Sequence, residues 1–138
     1  MNVLPLRTKP VGELTVAQDP PNWLVAVRAA EAKKAVDLRV LDLREVTTLA
    51  DYFVICSGTN PKQIQAIADE IVMTLKRRGE RAGSIEGYEG ADWILIDYGD
   101  LLVHVFSEHA REYYDLERLW RHARVVEIPP PEPVDLES

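Results

Sequence analysis

The stretch Ala91-Asp92-Trp93-Ile94-Leu95-Ile96-Asp97-Tyr98-Gly99-Asp100-Leu101-Leu102-Val103-His104-Val105-Phe106 reads as a β-hairpin whose two faces differ in chemistry. Gly99-Asp100 is a two-residue connection with glycine first, the choice expected of a tight turn that needs φ > 0. With Tyr98 and Leu101 flanking the turn, the cross-strand pairs are Asp97 with Leu102, Ile96 with Val103, Leu95 with His104, Ile94 with Val105 and Trp93 with Phe106. Side chains alternate between the faces of a strand. One face therefore carries Ile94, Ile96, Tyr98, Leu101, Val103 and Val105 and reads as core. The other carries Trp93, Leu95, Asp97, Leu102, His104 and Phe106, an apolar platform with one carboxylate and one imidazole. That platform is either core beneath a covering helix or a protein-binding surface. In this register Asp97 is the diagonal neighbour of His104 and is placed to accept its proton.

Composition narrows the classes of function. The chain has 138 residues, long enough for one domain with a real core, and its 46% hydrophobic and 28% charged content is ordinary for a globular protein. A single cysteine, Cys56, excludes an intrachain disulfide framework. No run approaches a membrane span, and Met1 to Pro10 lacks the apolar segment of a signal peptide, so the cytoplasm is the expected location. The net charge is −7. Lys76-Arg77-Arg78 with Arg81 forms a cationic cluster, but it sits at an expected helix C-terminus, where cations complement the helix dipole. Direct nucleic-acid binding is therefore not expected, and a protein surface is the favoured partner.

Along the chain, residues 1–21 and 124–138 read as tails, the second proline-rich and acidic, and residues 22–123 as the folded domain. A first helix spans about residues 23–36, capped by Asn22. Val40-Leu41-Asp42-Leu43 is a short strand, and Tyr52-Phe53-Val54-Ile55-Cys56 is apolar enough for a central strand buried on both faces. Asn60, Pro61 and Gln63 open the next helix, with a buried stripe of Ile64, Ile67, Ala68, Ile71, Val72 and Leu75 and a stop at Gly79. Ile85 marks a short edge strand. A closing helix starts near Ser107, with Tyr113, Leu116, Leu119, Trp120 and Ala123 on one face. The class is α/β, a mixed β-sheet with helices packed on it.

Catalytic readings find weak footing. Ser57-Gly58-Thr59-Asn60 between strand and helix resembles an anion-binding turn, yet it lacks the spaced glycines and the Gly-Lys-Ser/Thr ending of a phosphate loop. Asp97 lies on a strand face and Asp100 in the turn, so the two do not converge as paired metal ligands. Cys56 ends a buried strand, and His104, His109 and His122 have no metal-ligand spacing. No catalytic, cofactor-binding or metal residue is assigned.

Several segments in order carry a family likeness: Ala50-Asp51-Tyr52-Phe53-Val54-Ile55-Cys56-Ser57-Gly58-Thr59-Asn60, the helix with Gln63 and Ala66-Ile67-Ala68-Asp69, Asp92-Trp93 through Asp97-Tyr98-Gly99-Asp100 to Val103-His104-Val105, and Arg111-Glu112-Tyr113-Tyr114-Asp115-Leu116-Glu117-Arg118-Leu119-Trp120. Over about residues 23–122 the chain resembles the ribosomal silencing factor family, also called Iojap. The resemblance implies a nucleotidyltransferase-like α/β fold without catalytic residues. It further implies binding to ribosomal protein L-fourteen of the large subunit and steric blocking of subunit joining. The resemblance also implies repression of translation under nutrient limitation and homodimers as a form open to the free protein. The partner-facing positions it implies are Trp93, Asp97, Tyr98 and His104. To these the hairpin reading adds Leu95, Leu102 and Phe106 as a desolvated centre and Asp100 as a steering charge. The competing expectation is a nucleotide-binding transferase-like enzyme built on the Ser57–Asn60 turn and Asp97.

Overall fold

A computed structural model describes residues 19–131. Most of the first expected tail, residues 1–18, and the end of the second, residues 132–138, lie outside that range. The elements run α1 (Asn22–Ala32), β1 (Val36–Asp42), β2 (Tyr52–Gly58), α2 (Pro61–Arg77), β3 (Ser84–Glu86), β4 (Trp93–Asp97), β5 (Leu101–Ser107), α3 (Glu108–Tyr114), α4 (Leu116–Leu119) and β6 (Arg124–Val126). They build one six-stranded sheet in the order β3-β4-β5-β2-β1-β6. β2 and β5 pair in parallel at its centre, and every other neighbouring pair is antiparallel.

The hairpin has the register read from its sequence: all five pairs from Trp93↔Phe106 to Asp97↔Leu102 occur as expected. Gly99 takes φ +88°, and the Tyr98 N–H donates to the Leu101 carbonyl at 2.9 Å to close the turn. The α2 signals also act as read. Asn60 Oδ1 accepts from the Gln63 amide at 2.8 Å, a cap contributing about 1 kcal/mol. At the other end the Glu80 N–H reaches the Leu75 carbonyl and the Gly79 N–H the Lys76 carbonyl, with Gly79 at φ +90°. That pairing satisfies the last helical carbonyls.

One face of the sheet is covered by α1 and α2. Val54, Cys56, Ile94, Ile96, Val103 and Val105 meet Val27, Ile64, Ile67, Ile71 and Leu75 there, all fully buried. Each large aliphatic side chain in this layer contributes on the order of 2 kcal/mol as an upper figure. The opposite face holds a smaller cluster, Leu41, Phe53, Ile55, Leu102 and Phe106, closed by Ala110, Leu116, Trp120 and Ala123.

Three expectations fail for identifiable reasons. The first helix begins at Asn22 itself, with Pro21 at the cap position, and ends at Ala32. Lys34 and Asp37 at positive φ turn the chain into a strand longer than expected. The closing helix is broken: Asp115 adopts a left-handed conformation (φ +50°, ψ +53°), so residues before and after it do not share one face. Tyr113 and Leu119 are consequently exposed while Ala123 is buried. Finally, Arg124–Val126, assigned to a tail, forms β6 against β1. The pairing is reinforced by Arg124 donating to Asp42 Oδ2 at 2.9 Å, and Ile128 packs on the helix-covered core.

Candidate partner-binding site

The exposed part of the hairpin is the β4 side of its platform face, with the turn. Trp93, Leu95, Asp97 and Tyr98 are half-buried, and Asp100 is exposed in the turn. β3 pairs with β4 over only three residues, Ser84↔Asp97 to Glu86↔Leu95, and is itself exposed. Leu102, His104 and Phe106 lie one strand further in and are buried. Of the eight residues read as partner-binding, Trp93, Leu95 and Asp97 reach the surface on this face and Asp100 in the turn; Tyr98 packs on the opposite, helix-covered side with its hydroxyl buried, and Leu102, His104 and Phe106 are buried on the inner strand.

That support is aromatic. The Trp93 ring lies 5.0 Å from Phe106 and 4.7 Å from Tyr114 between centroids. His104 stacks parallel to Phe106 and meets the edge of Phe53 at 4.5 Å. The Trp93 indole Nε1–H donates to His104 Nδ1 at 3.1 Å, which assigns the imidazole hydrogen to Nε2. Nε2 has no hydrogen-bond partner among the described residues. Burial pushes the His104 pKa down to about 3, so the ring is neutral. The expected partner of His104 was Asp97. Instead Asp97 Oδ1 accepts from the Gly99 amide at 2.7 Å, because the tight turn brings that N–H back over the carboxylate. Tyr98 leans to the helix-covered side; burial, with Glu80 nearby, raises its hydroxyl pKa to about 12.

Beside Trp93 the surface dips into a cleft of about 490 Å³ lined by Asp92, Trp93, His109, Ala110, Tyr113 and Tyr114, with Gly87 and Gly90 on the loop side. Gly87 has φ +80°, and a Cβ there would stand 2.1 Å from the Trp93 carbonyl oxygen. Only glycine lets the loop approach the strand this closely. Asp92, Tyr113 and Tyr114 are not site residues in the sequence reading, which places Tyr113 on the packed face of the closing helix. The available signal was charge: residues 82–110 contain no lysine or arginine but hold Glu86, Glu89, Asp92, Asp97, Asp100 and Glu108.

The groups considered for chemistry do not assemble. The Thr59 amide and hydroxyl both donate to Gln63 Oε1, and the Asn60 carboxamide caps α2. A Cβ at Gly58 would meet the Ile64 side chain at 2.8 Å, so this glycine serves strand–helix packing. Ser57 Oγ accepts from Arg111 at 3.0 Å. Both Thr59 donors are thus engaged by Gln63 and not turned to an outside anion. Cys56 is buried, and desolvation raises its thiol pKa to about 12. Among the described residues no three of His, Cys, Asp and Glu converge as metal ligands.

The family comparison is decisive. A sequence model described as "Ribosomal silencing factor during starvation" matches residues 17–137. The chain belongs to the ribosomal silencing factor family. It is 44% identical over 104 residues to the ribosomal silencing factor of Halalkalibacterium halodurans, covering 75% of this chain and 89% of that protein. A mouse protein named for mitochondrial assembly of the ribosomal large subunit is 34% identical over 91 residues, covering 64% of this chain and 40% of its own. A crystal structure from Chromobacterium violaceum superposes with a TM-score of 0.69 at 35% identity, covering 70% of this chain and 81% of that one. One from Bacillus halodurans gives 0.67 at 43% identity, covering 75% and 93%. The α/β sheet with packed helices is thus shared by solved structures of like sequence. Among the described residues, no helix is long and apolar enough to cross a membrane.

Proposed function

We propose that this silencing-factor chain represses translation in the cytoplasm without chemistry of its own, by binding ribosomal protein L-fourteen on the large subunit and excluding the small subunit by its volume. The supporting observation is the acidic, aromatic-centred face of the sheet at β4. Six carboxylates and no cation occur over residues 82–110, around the half-exposed Trp93 and Leu95. Such a face suits a basic ribosomal protein: charge steers the encounter, while the buried aromatic centre sets the dwell time. Trp93 is held rigidly by His104, Phe106 and Tyr114, so little side-chain entropy is lost when it is covered. Asp97, with one oxygen engaged by the turn, presents its carboxylate in a fixed orientation. The name of the mouse relative, which refers to the ribosomal large subunit, favours the same side of the ribosome. Self-association of the free chain as a homodimer belongs to the same reading and is measured by sedimentation of the chain alone.

Co-sedimentation with purified large subunits tests it, followed by a subunit-joining assay. Replacing Trp93 and Asp97 together by alanine is expected to weaken large-subunit binding about 30-fold or more and to restore joining. Unchanged co-sedimentation of that double variant, with its fold intact by circular dichroism, removes the docking face from the proposal.

A further inference from the structure

We propose that the cleft beside Trp93 receives one cationic side chain, an arginine or lysine, from the basic partner; this rests on the docking reading above and deepens it. Three rings form its wall in sequence: Trp93 lies 4.7 Å from Tyr114, and Tyr114 lies 5.0 Å from Tyr113 at a right angle. Tyr113 is 74% and Tyr114 50% exposed, so both rings are open to a partner's side chain. Cations are drawn to ring faces by the quadrupole of the π-system.

The electrostatics select the same ligand. Asp92 lines the cleft, one of its oxygens accepting from Ser107 Oγ at 3.2 Å; among the described residues the other has no hydrogen-bond partner. Exposed Glu89, Glu108 and Glu112 adjoin lining residues in the chain. Arg111, the nearest cation in sequence, is turned away: its guanidinium donates to Ser57 at 3.0 Å and to Glu117 at 2.7 Å. One carboxylate thus lines an aromatic cleft whose lining holds a histidine, His109, but no lysine or arginine, and three more carboxylates neighbour lining residues in the chain. An apolar partner side chain gains nothing from that charge, whereas an ammonium or guanidinium gains from both the rings and the acids. The cleft shares Trp93 with the proposed docking face, so one partner can cover both.

The experiment measures affinity for purified large subunits with the full-length chain carrying Tyr113→Leu, Tyr113→Phe, Tyr114→Leu, Tyr114→Phe or Asp92→Asn. Leucine retains apolar area but removes the ring face, while phenylalanine retains the face and loses only the hydroxyl. The expected result is a loss of about 3- to 30-fold for the leucine variants and less than about twofold for the phenylalanine variants. Asp92→Asn is expected to bind more weakly and with a shallower salt dependence. Tyr113 is the decisive position, because its exposure keeps the substitution away from the core. Wild-type affinity of Tyr113→Leu, or equal losses for Tyr113→Leu and Tyr113→Phe, overturns the cationic cleft. If the Trp93 and Asp97 double variant then still loses binding, the docking face stands without it; if that variant also binds normally, both fall together.

Discussion

Protonation of His104 is coupled to folding with a sign and size that can be worked from its surroundings. The ring is 3% exposed, accepts from Trp93 on Nδ1, and is held neutral by burial, with a pKa pushed down to about 3. An unfolded-chain histidine titrates near pH 6.5. Between these values the unfolded chain binds the extra proton and the folded one does not, so stability rises with pH across this window and is lost as pH falls through it. At pH 7 the unfolded state gains only about 0.2 kcal/mol from that protonation, and at pH 5 about 2 kcal/mol. His104 alone therefore removes about 2 kcal/mol between pH 7 and pH 5, a figure insensitive to the folded pKa while that lies below about 4. Below about pH 3 the loss levels off, because the folded state then takes up the proton too. Urea unfolding of the wild type and of His104→Phe, followed by far-ultraviolet circular dichroism at pH 7, 6 and 5, isolates this contribution. Phenylalanine retains the ring stack on Phe106 and removes the titration; groups common to both proteins cancel in the difference. The variant should gain about 2 kcal/mol relative to the wild type on acidification over that range. Parallel stability curves for the two proteins refute the assignment of a buried neutral imidazole.

Glycine substitutions separate conformational strain from collision. Gly99→Ala should cost about 1 kcal/mol, since φ +88° is disfavoured for alanine but nothing lies within 4 Å of the added carbon. Gly87→Ala should cost about 3 kcal/mol or more, because its Cβ would collide with the Trp93 carbonyl oxygen 2.1 Å away. Urea midpoints of the two variants check the ranking, and equal costs would contradict the close loop–strand approach. Asp42 is buried and accepts from both Arg44 and Arg124, which hold its carboxyl well below the usual carboxylate range; the Arg44 hydrogen bond is the largest cause. Asp42→Asn should destabilise the chain by about 1–2 kcal/mol, the partners being solvent-exposed. Hydrogen exchange should rise first at Val125 and Val126, and unchanged protection there would deny Arg124 its part in holding β6.

Local chemistry carried much of this architecture. The Gly99-Asp100 turn admits one pairing of its flanking strands, so the register and the two-face division of β4 and β5 were legible before any coordinates. The same holds for the Asn60 cap, the Gly79 stop and the apolar run that places β2 at the sheet's centre. The site was only partly legible. Alternation assigned Leu102, His104 and Phe106 to the same face as Trp93, but alternation does not tell whether a face is open. The chain after β5 turns back over the inner strands, leaving the β4 side of that face exposed.

What the sequence by itself determined is therefore whatever neighbouring residues decide among themselves: turn type, strand register, helix caps and the sign of the charge along residues 82–110. The tertiary structure alone decided what depends on residues far apart in the chain. The Asp42–Arg124 contact spans 82 positions and anchors a three-residue strand with no pattern of its own. The left-handed Asp115 breaks a helix that periodicity would have continued, because closing the second core over Phe53 demands a change of direction. The neutral state of His104 likewise follows from packing, since a histidine's charge is set by the solvent it loses and the partner it meets.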